Sequence, residues 1–237
     1  MAMQLFYNPT LDNSITQFVF DSVESKHIVK VLRKKEDDIL HITNGKGYIF
    51  EAQILNADPK KCKAKIIDTT KRHSKMHWFH LAVAPTKSND RFEWFLEKAT
   101  EIGINEITPI ICERSERKIV KEERMHKVVL AAMKQSLRTY LPKINAPVSY
   151  SDFMGRERQG LLFIAHCEKD EKMDLKRRVA PDTDITILIG PEGDFSRSEI
   201  HMAYENGFTS ISLGENRLRT ETAALVACTV VNMINNG

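Results

Sequence analysis

Two strand-to-helix junctions near the C-terminal end constrain this 237-residue chain more than anything else in it. Ile185–Ile189 reads ITILI and Thr209–Leu213 reads TSISL, both short β-type runs. The first runs into IGPEGDFSRSE (Ile189 to Glu199) and the second into LGENRLRTETA (Leu213 to Ala223). Each phrase then opens a helix. In α/β proteins small ligands bind where a strand end gives a glycine loop and a helix N-terminus. Two such junctions so close in sequence point to one pocket with two walls.

The rest of the chain supplies the frame for that pocket. From about residue 76 strands alternate with helices: Phe79–Ala84, Ile107–Ile111 and Leu161–Ala165 read as buried strands. Asp90 with Glu93, and Ser196 with Glu199, read as capping boxes that open helices, and Gly103 and Gly207 end them. Another helix is expected from about Glu122 to Arg138. This pattern predicts an α/β fold with a largely parallel sheet covered on both faces. A last helix, about Thr222 to Asn235, has almost no polar face. It is too short to span a bilayer and must be buried all round, in the core and at a subunit interface.

Residues 1–70 read differently. Phe18–Phe20, Ile39–Ile42, Tyr48–Ile54 and Ala64–Ile67 are short β runs, Asn44 to Gly47 is a hairpin turn, and Ser25–Leu32 is one short helix. A compact β-barrel with one helix is expected, joined to the rest by a polar linker over Thr69 to Lys75.

Composition narrows the function classes. Hydrophobic content of 42% and charged content of 28% are those of a soluble globular protein, and neither a membrane span nor a secretion signal is expected. Cys62, Cys112, Cys167 and Cys228 are scattered, which predicts reduced thiols and a cytoplasmic protein. A net charge of +3 does not itself suggest nucleic acid, but local groups such as Arg33-Lys34-Lys35 and Lys176-Arg177-Arg178 do. His73, His77 and His80 have tolerable ligand spacing, yet no carboxylate or cysteine completes the set, so no metal is expected. The loop Gly190 to Gly193 is neither a P-loop nor a dinucleotide fingerprint, and no nucleophile elbow is present.

Ile189-Gly190-Pro191-Glu192-Gly193 and Leu213-Gly214 through Leu218-Arg219-Thr220-Glu221-Thr222-Ala223 resemble the cofactor segment of SPOUT-class RNA methyltransferases. The similarity is greatest to the family that methylates uridine N3 in small-subunit (16S) ribosomal RNA. It extends upstream to His27 through Arg33, Lys98-Ala99-Thr100-Glu101 with Gly103, Arg114-Ser115, and Gln135-Ser136 with Arg138. The chain departs from the family pattern at Asp37-Asp38, Lys134 and Glu215-Asn216-Arg217.

The resemblance implies a PUA-like RNA-binding barrel at 1–70 and a SPOUT domain with a C-terminal trefoil knot and dimer interface at 76–237. It implies S-adenosyl-L-methionine as cofactor, held by Ile189, Gly190, Pro191, Glu192, Gly193, Leu213, Gly214, Leu218, Thr220, Thr222 and Ala223. His166-Cys167, directly after strand Leu161–Ala165, read as a third wall or equally as ordinary loop residues. Arg219 is the expected catalytic residue, because a guanidinium offers fixed donors to the anion left when uridine N3 loses its proton. A surface charge or phosphate anchor is the alternative role for an arginine there. Glu221 is a second catalytic candidate, with helix capping as its alternative role, and Glu192 is either a general base or a holder of backbone amides. His27, Arg33, Arg114 and Arg138 are expected to face RNA. The implied partners are small-subunit ribosomal RNA, in an assembled or assembling subunit, and a second copy of the chain. Competing readings are a SPOUT enzyme acting on another RNA or a ribose hydroxyl, and a non-catalytic ribosome-assembly factor.

Overall fold

A computed structural model describes residues 3–72 and 76–236, and the side chains of all of these except residue 236. The chain divides into two compact units. One holds the described residues up to 72 together with Met133–Leu141, and the other holds 76–132 and 142–236.

In the first unit, β1 (Leu5–Tyr7), β2 (Gln17–Val19), β3 (Ile39–Thr43), β4 (Tyr48–Asn56) and β5 (Lys63–Lys71) form one curled sheet in the order β1-β3-β4-β5-β2. β3 and β4 make the expected antiparallel hairpin, while β1 joins β3 in parallel. Phe6, Leu11, Phe20, Ile28, Ile42, Phe50 and Ile54 fill its core. The single helix expected over Ser25–Leu32 is two pieces. Helix α1 (Ser22–Lys26) starts at Asp21, whose carboxylate accepts the Glu24 amide at 2.8 Å. A π-helical turn over His27–Val31 follows, and the Leu32 amide reaches the His27 carbonyl at 3.0 Å. Thr69–Lys71, expected in the linker, lie in β5, and residues 73–75 with His73 fall outside the described residues. Thr139–Leu141 join this unit through backbone bonds: Gly47 N–H to the Thr139 carbonyl and Leu141 N–H to the Gly45 carbonyl, both 2.9 Å.

The second unit runs β6 (Phe79–Val83), α2 (Asn89–Ile102), β7 (Glu106–Ile111), α3 (Glu122–Gln135, its last turn counted with the first unit), β8 (Lys143–Ile144), β9 (Val148–Ser149), α4 (Tyr150–Met154), β10 (Leu161–Ala165), β11 (Met173–Asp174), α5 (Leu175–Arg178), β12 (Ile185–Ile189), α6 (Arg197–Glu205), β13 (Thr209–Ser212) and α7 (Thr220–Asn236). Its sheet has the order β11-β13-β10-β12-β6-β7-β8, and every pair is parallel. All five residues of β12 are buried, as a strand covered on both faces requires. β12 slots between β6 and β10, so the C-terminal ends of β13, β10 and β12 stand side by side. The chain reverses its strand order here, and such a place leaves a crevice at the strand ends.

The helices seal that sheet. Ala82, Leu188, Phe195, Ile200, Ala203 and Phe208 pack in one cluster with Tyr150, Phe153 and Met154. α7 lies against α2, β6, β12 and α5. The capping box expected at Ser196 is present: its side chain accepts the Glu199 amide, and the Glu199 carboxylate accepts the Ser196 amide at 2.8 Å. The one expected at Asp90 is not. α2 starts after Ser88, which makes no side-chain cap bond, and Glu93 is held instead by Arg124 through contacts of 2.9 and 2.7 Å. A bidentate partner outcompetes a local amide for that carboxylate.

Replacing Ser196 by Ala removes the cap of the helix that follows the first glycine loop. A loss of about 1 kcal/mol is expected, read as a lower urea midpoint with an unchanged slope.

Candidate active site

A cavity of about 670 Å³ opens at the ends of β10, β12 and β13. Volumes of roughly 300–1,000 Å³ suit a small organic ligand. Three segments line it: Ala165 to Cys167 with Lys172; Ile189 to Glu192 with Asp194; and Ile211 to Thr220 with Ala223. Both junctions singled out in the sequence therefore form walls of one cavity, and β10 supplies the third.

Side chains fasten the walls together. Thr220 Oγ1, buried at the start of α7, donates to the Gly190 carbonyl at 2.9 Å. Arg217 donates to the Glu192 carbonyl at 3.3 Å. The Cys167 amide donates to the Asp194 carboxylate at 2.8 Å. From outside the lining, Arg114 donates to the carbonyls of Gly193 and Phe195 at 3.1 and 3.3 Å. The Lys87 amide donates to Glu192 Oε1 at 2.9 Å.

The glycines serve close approach more than turning. Neither Gly190 nor Gly193 has a positive φ, and Asp194 takes that conformation instead, at φ 62°. A Cβ on Gly190 would sit 3.0 Å from the Phe195 ring, so a larger residue there requires that ring to give way.

Most expected cofactor residues line the cavity: Ile189, Gly190, Pro191, Glu192, Leu213, Gly214, Leu218, Thr220, Ala223 and His166. Gly193 and Thr222 lie outside the lining, and Gly193 is backed by the Arg114 side chain. Arg219 lines the cavity and is exposed, while its carbonyl accepts the Ala223 amide at 2.8 Å as α7 begins. Glu221 is placed differently. It is 6% exposed, lies outside the lining, and its carboxylate stands 3.8 Å from Arg91 Nε on α2.

Of the expected RNA-facing residues, Arg114 belongs to the second unit, where it braces the first glycine loop. The other three lie in the first unit. His27 Nδ1 is 3.2 Å from Glu24 Oε1, and Arg33 is exposed with φ 55°. Burial pulls the Arg138 guanidinium below its usual pKa. His80 Nε2 lies 2.7 Å from Thr108 Oγ1, and burial pulls its pKa to about 4, which suits a neutral ring packed on the sheet.

The cavity has a definite polarity. Among the described residues, two buried side-chain atoms have no hydrogen-bond partner, His166 Nδ1 and Glu192 Oε2. Both residues line this cavity. An unpaired carboxylate oxygen calls for a donor on the ligand, and an unpaired ring nitrogen for a further polar group. Ile189, Ile211, Leu213, Leu218 and Ala223 give it apolar walls. S-Adenosylmethionine, with an ammonium, an exocyclic amine, ribose hydroxyls and a flat base, fits that set.

Sequence reasoning missed several contributors. Lys172 lines the cavity and donates to the carbonyls of His166 and Glu168, both at 2.6 Å. Asp194 and Arg217 tie loops together, and Tyr204 on α6 bonds His166. Asp194 carried a signal, since an Asp directly after a loop glycine tolerates the left-handed region.

Residues 73–232 match a family model described as an RNA methyltransferase domain, and residues 21–67 match an RNA methyltransferase PUA domain. The chain is 34% identical to ribosomal RNA small subunit methyltransferase E of Rickettsia conorii, over 89% of this chain and 87% of that one. A crystal structure of a "probable rRNA-methyltransferase" from Porphyromonas gingivalis is 37% identical and superposes with a TM-score of 0.89 over 98% of both chains. The Neisseria gonorrhoeae ribosomal RNA small subunit methyltransferase E, bound to S-adenosyl methionine, is 25% identical with a TM-score of 0.87, over 99% of this chain and 98% of that one. A parallel α/β methyltransferase sheet, a PUA-like unit and a glycine-loop cavity thus occur together in one chain, and this chain belongs to the family of ribosomal RNA small subunit methyltransferase E.

Proposed function

We propose that the chain transfers a methyl group from S-adenosylmethionine to the N3 of one uridine in small-subunit ribosomal RNA. The observation that carries this is the single cavity built from both glycine loops, with its two unpaired buried polar atoms and an exposed arginine on its lining. When bound, the cofactor supplies the electrophilic methyl group.

The chain's own residues do the rest. The apolar side chains of Ile189, Leu213 and Leu218 hold the adenine, and loop amides read its edge. Arg219 orients the target base and stabilises the negative charge spread over its two carbonyl oxygens after N3 deprotonates. Glu221 serves α7 through Arg91, and not the reacting base. Glu192, one oxygen of which is spent on the Lys87 amide, holds the cofactor with the other. Arg114 acts through the loop that it braces. His27, Arg33 and Arg138 in the PUA-like unit contact RNA, positioning it without reading sequence.

Residues 1–70 and 76–237 act as the RNA-binding and catalytic domains, with α7 closing a SPOUT-type knot and a homodimer interface in the cytoplasm. α7 supports the dimer, since Leu225, Val226, Val230 and Ile234 are only half-buried and Met233 is 67% exposed. Sedimentation should give twice the chain mass of 27.2 kDa. A mass of one chain removes the interface.

The test of function is transfer of labelled methyl from S-adenosylmethionine to unmodified small subunits, read by nucleoside mass spectrometry. Label in N3-methyluridine is expected, and label in any other nucleoside overturns the target. Arg219→Ala should slow single-turnover transfer roughly 10²–10³-fold, and an unchanged rate rejects its role. Thr220→Val leaves the Gly190 carbonyl buried and unpaired, at a cost of about 1–3 kcal/mol. A lower unfolding midpoint and weaker S-adenosylmethionine binding are expected by calorimetry.

A further inference from the structure

His166 closes β10's side of the cavity and is 8% exposed. Its two ring nitrogens differ sharply. Nε2 lies 3.0 Å from the Tyr204 hydroxyl, while Nδ1 is buried with no partner. The Tyr204 hydroxyl also lies 2.6 Å from Asp170 Oδ2 and donates to it. A phenol has one hydrogen, and a short bond to a carboxylate takes it in preference to a longer one to a neutral ring. The Tyr204 oxygen must then accept from His166, so Nε2 carries the ring proton.

That assignment leaves Nδ1 as a bare acceptor. Burial pulls the His166 pKa below its ordinary value, and Lys172 adds to this, while Asp194, Asp170 and Glu168 oppose it. The ring is therefore neutral near pH 7. A buried ring nitrogen with no partner is costly unless something bound there satisfies it. The supports for this arrangement sit outside the cavity lining, on α6 and on the loop after β10.

We propose that Asp170 and Tyr204 are positioning residues that lock His166 as the Nε2–H tautomer, so that Nδ1 accepts a hydrogen bond from an N–H or O–H group of the bound cofactor. This rests on the reading of the cavity as the S-adenosylmethionine site. In the same way a metal-binding histidine is oriented by the partner of its other nitrogen, except that here the oriented nitrogen meets a ligand proton.

The test is ¹⁵N NMR of the full chain labelled at its histidine rings, with the His166 signals assigned by their loss in His166→Asn. Without ligand, near pH 7, Nδ1 should resonate as an unprotonated nitrogen and Nε2 as a protonated one. Saturating S-adenosylmethionine should shift Nδ1 toward the hydrogen-bonded range and leave Nε2 in place. 5′-Methylthioadenosine, which lacks the amino-acid portion, distinguishes the donors. The same shift assigns the bond to the adenosine part, and a shift with S-adenosylmethionine alone assigns it to the ammonium.

Tyr204→Phe should move both ring signals toward the average of two tautomers and raise the S-adenosylmethionine dissociation constant about three- to tenfold, as loss of one ordered hydrogen bond does. A purely structural role for Tyr204 would leave the ring signals unmoved. A protonated Nδ1 in the free protein overturns the proposal, as does an Nδ1 signal that saturating cofactor leaves unchanged. In that second case measured binding keeps the cofactor reading intact, whereas no binding at all overturns both.

Discussion

One buried hydrogen bond, from the Thr220 hydroxyl to the Gly190 carbonyl, sets the geometry on which the site depends. It joins the first turn of α7 to the loop after β12, two places 30 residues apart in sequence. Without it the first turn of α7 loses its buried anchor on the first loop. With it, both glycine loops are held as walls of one cavity, and α7 starts at the cavity edge. Arg217 to the Glu192 carbonyl and the Cys167 amide to Asp194 complete the tie across three strand ends. The parallel sheet makes this possible, because only parallel strands deliver all their C-terminal ends to one edge.

The chemistry follows from what these ties leave unsatisfied. The cavity presents unpaired polar atoms inside, on His166 and Glu192, and cations on its lining, among them the exposed Arg219. A donor-rich, positively charged methyl donor suits the first, and an anionic base suits the second. Glu221, next to Thr220 in sequence, shows how sharply the helix start divides these roles. Its neighbour braces the cavity, while its own carboxylate turns to Arg91 on α2.

Much of this frame was legible in the sequence where local and tertiary preferences agree. β10 and β12 match their apolar runs residue for residue, and Ser196 and Glu199 cap α6 as their spacing requires. Disagreement arises where a distant partner decides. Glu93 leaves its expected cap for Arg124, thirty-one residues away. Thr139–Leu141 follow a helix of the second unit, yet their backbone bonds go to Gly45 and Gly47 in the first. Tyr204 reads as an ordinary helix residue, because nothing in local spacing shows that its hydroxyl reaches a strand end 38 residues back.

Determining the structure with S-adenosylmethionine bound tests the central claim most directly. Density in the cavity between Ile189 to Asp194 and Ile211 to Thr220 is the expected result. The described residues also form a smaller polar cavity of about 320 Å³, lined by Trp78, His80, Glu106 and Arg158. Cofactor density there, or none at the paired glycine loops under saturating ligand, would contradict the account.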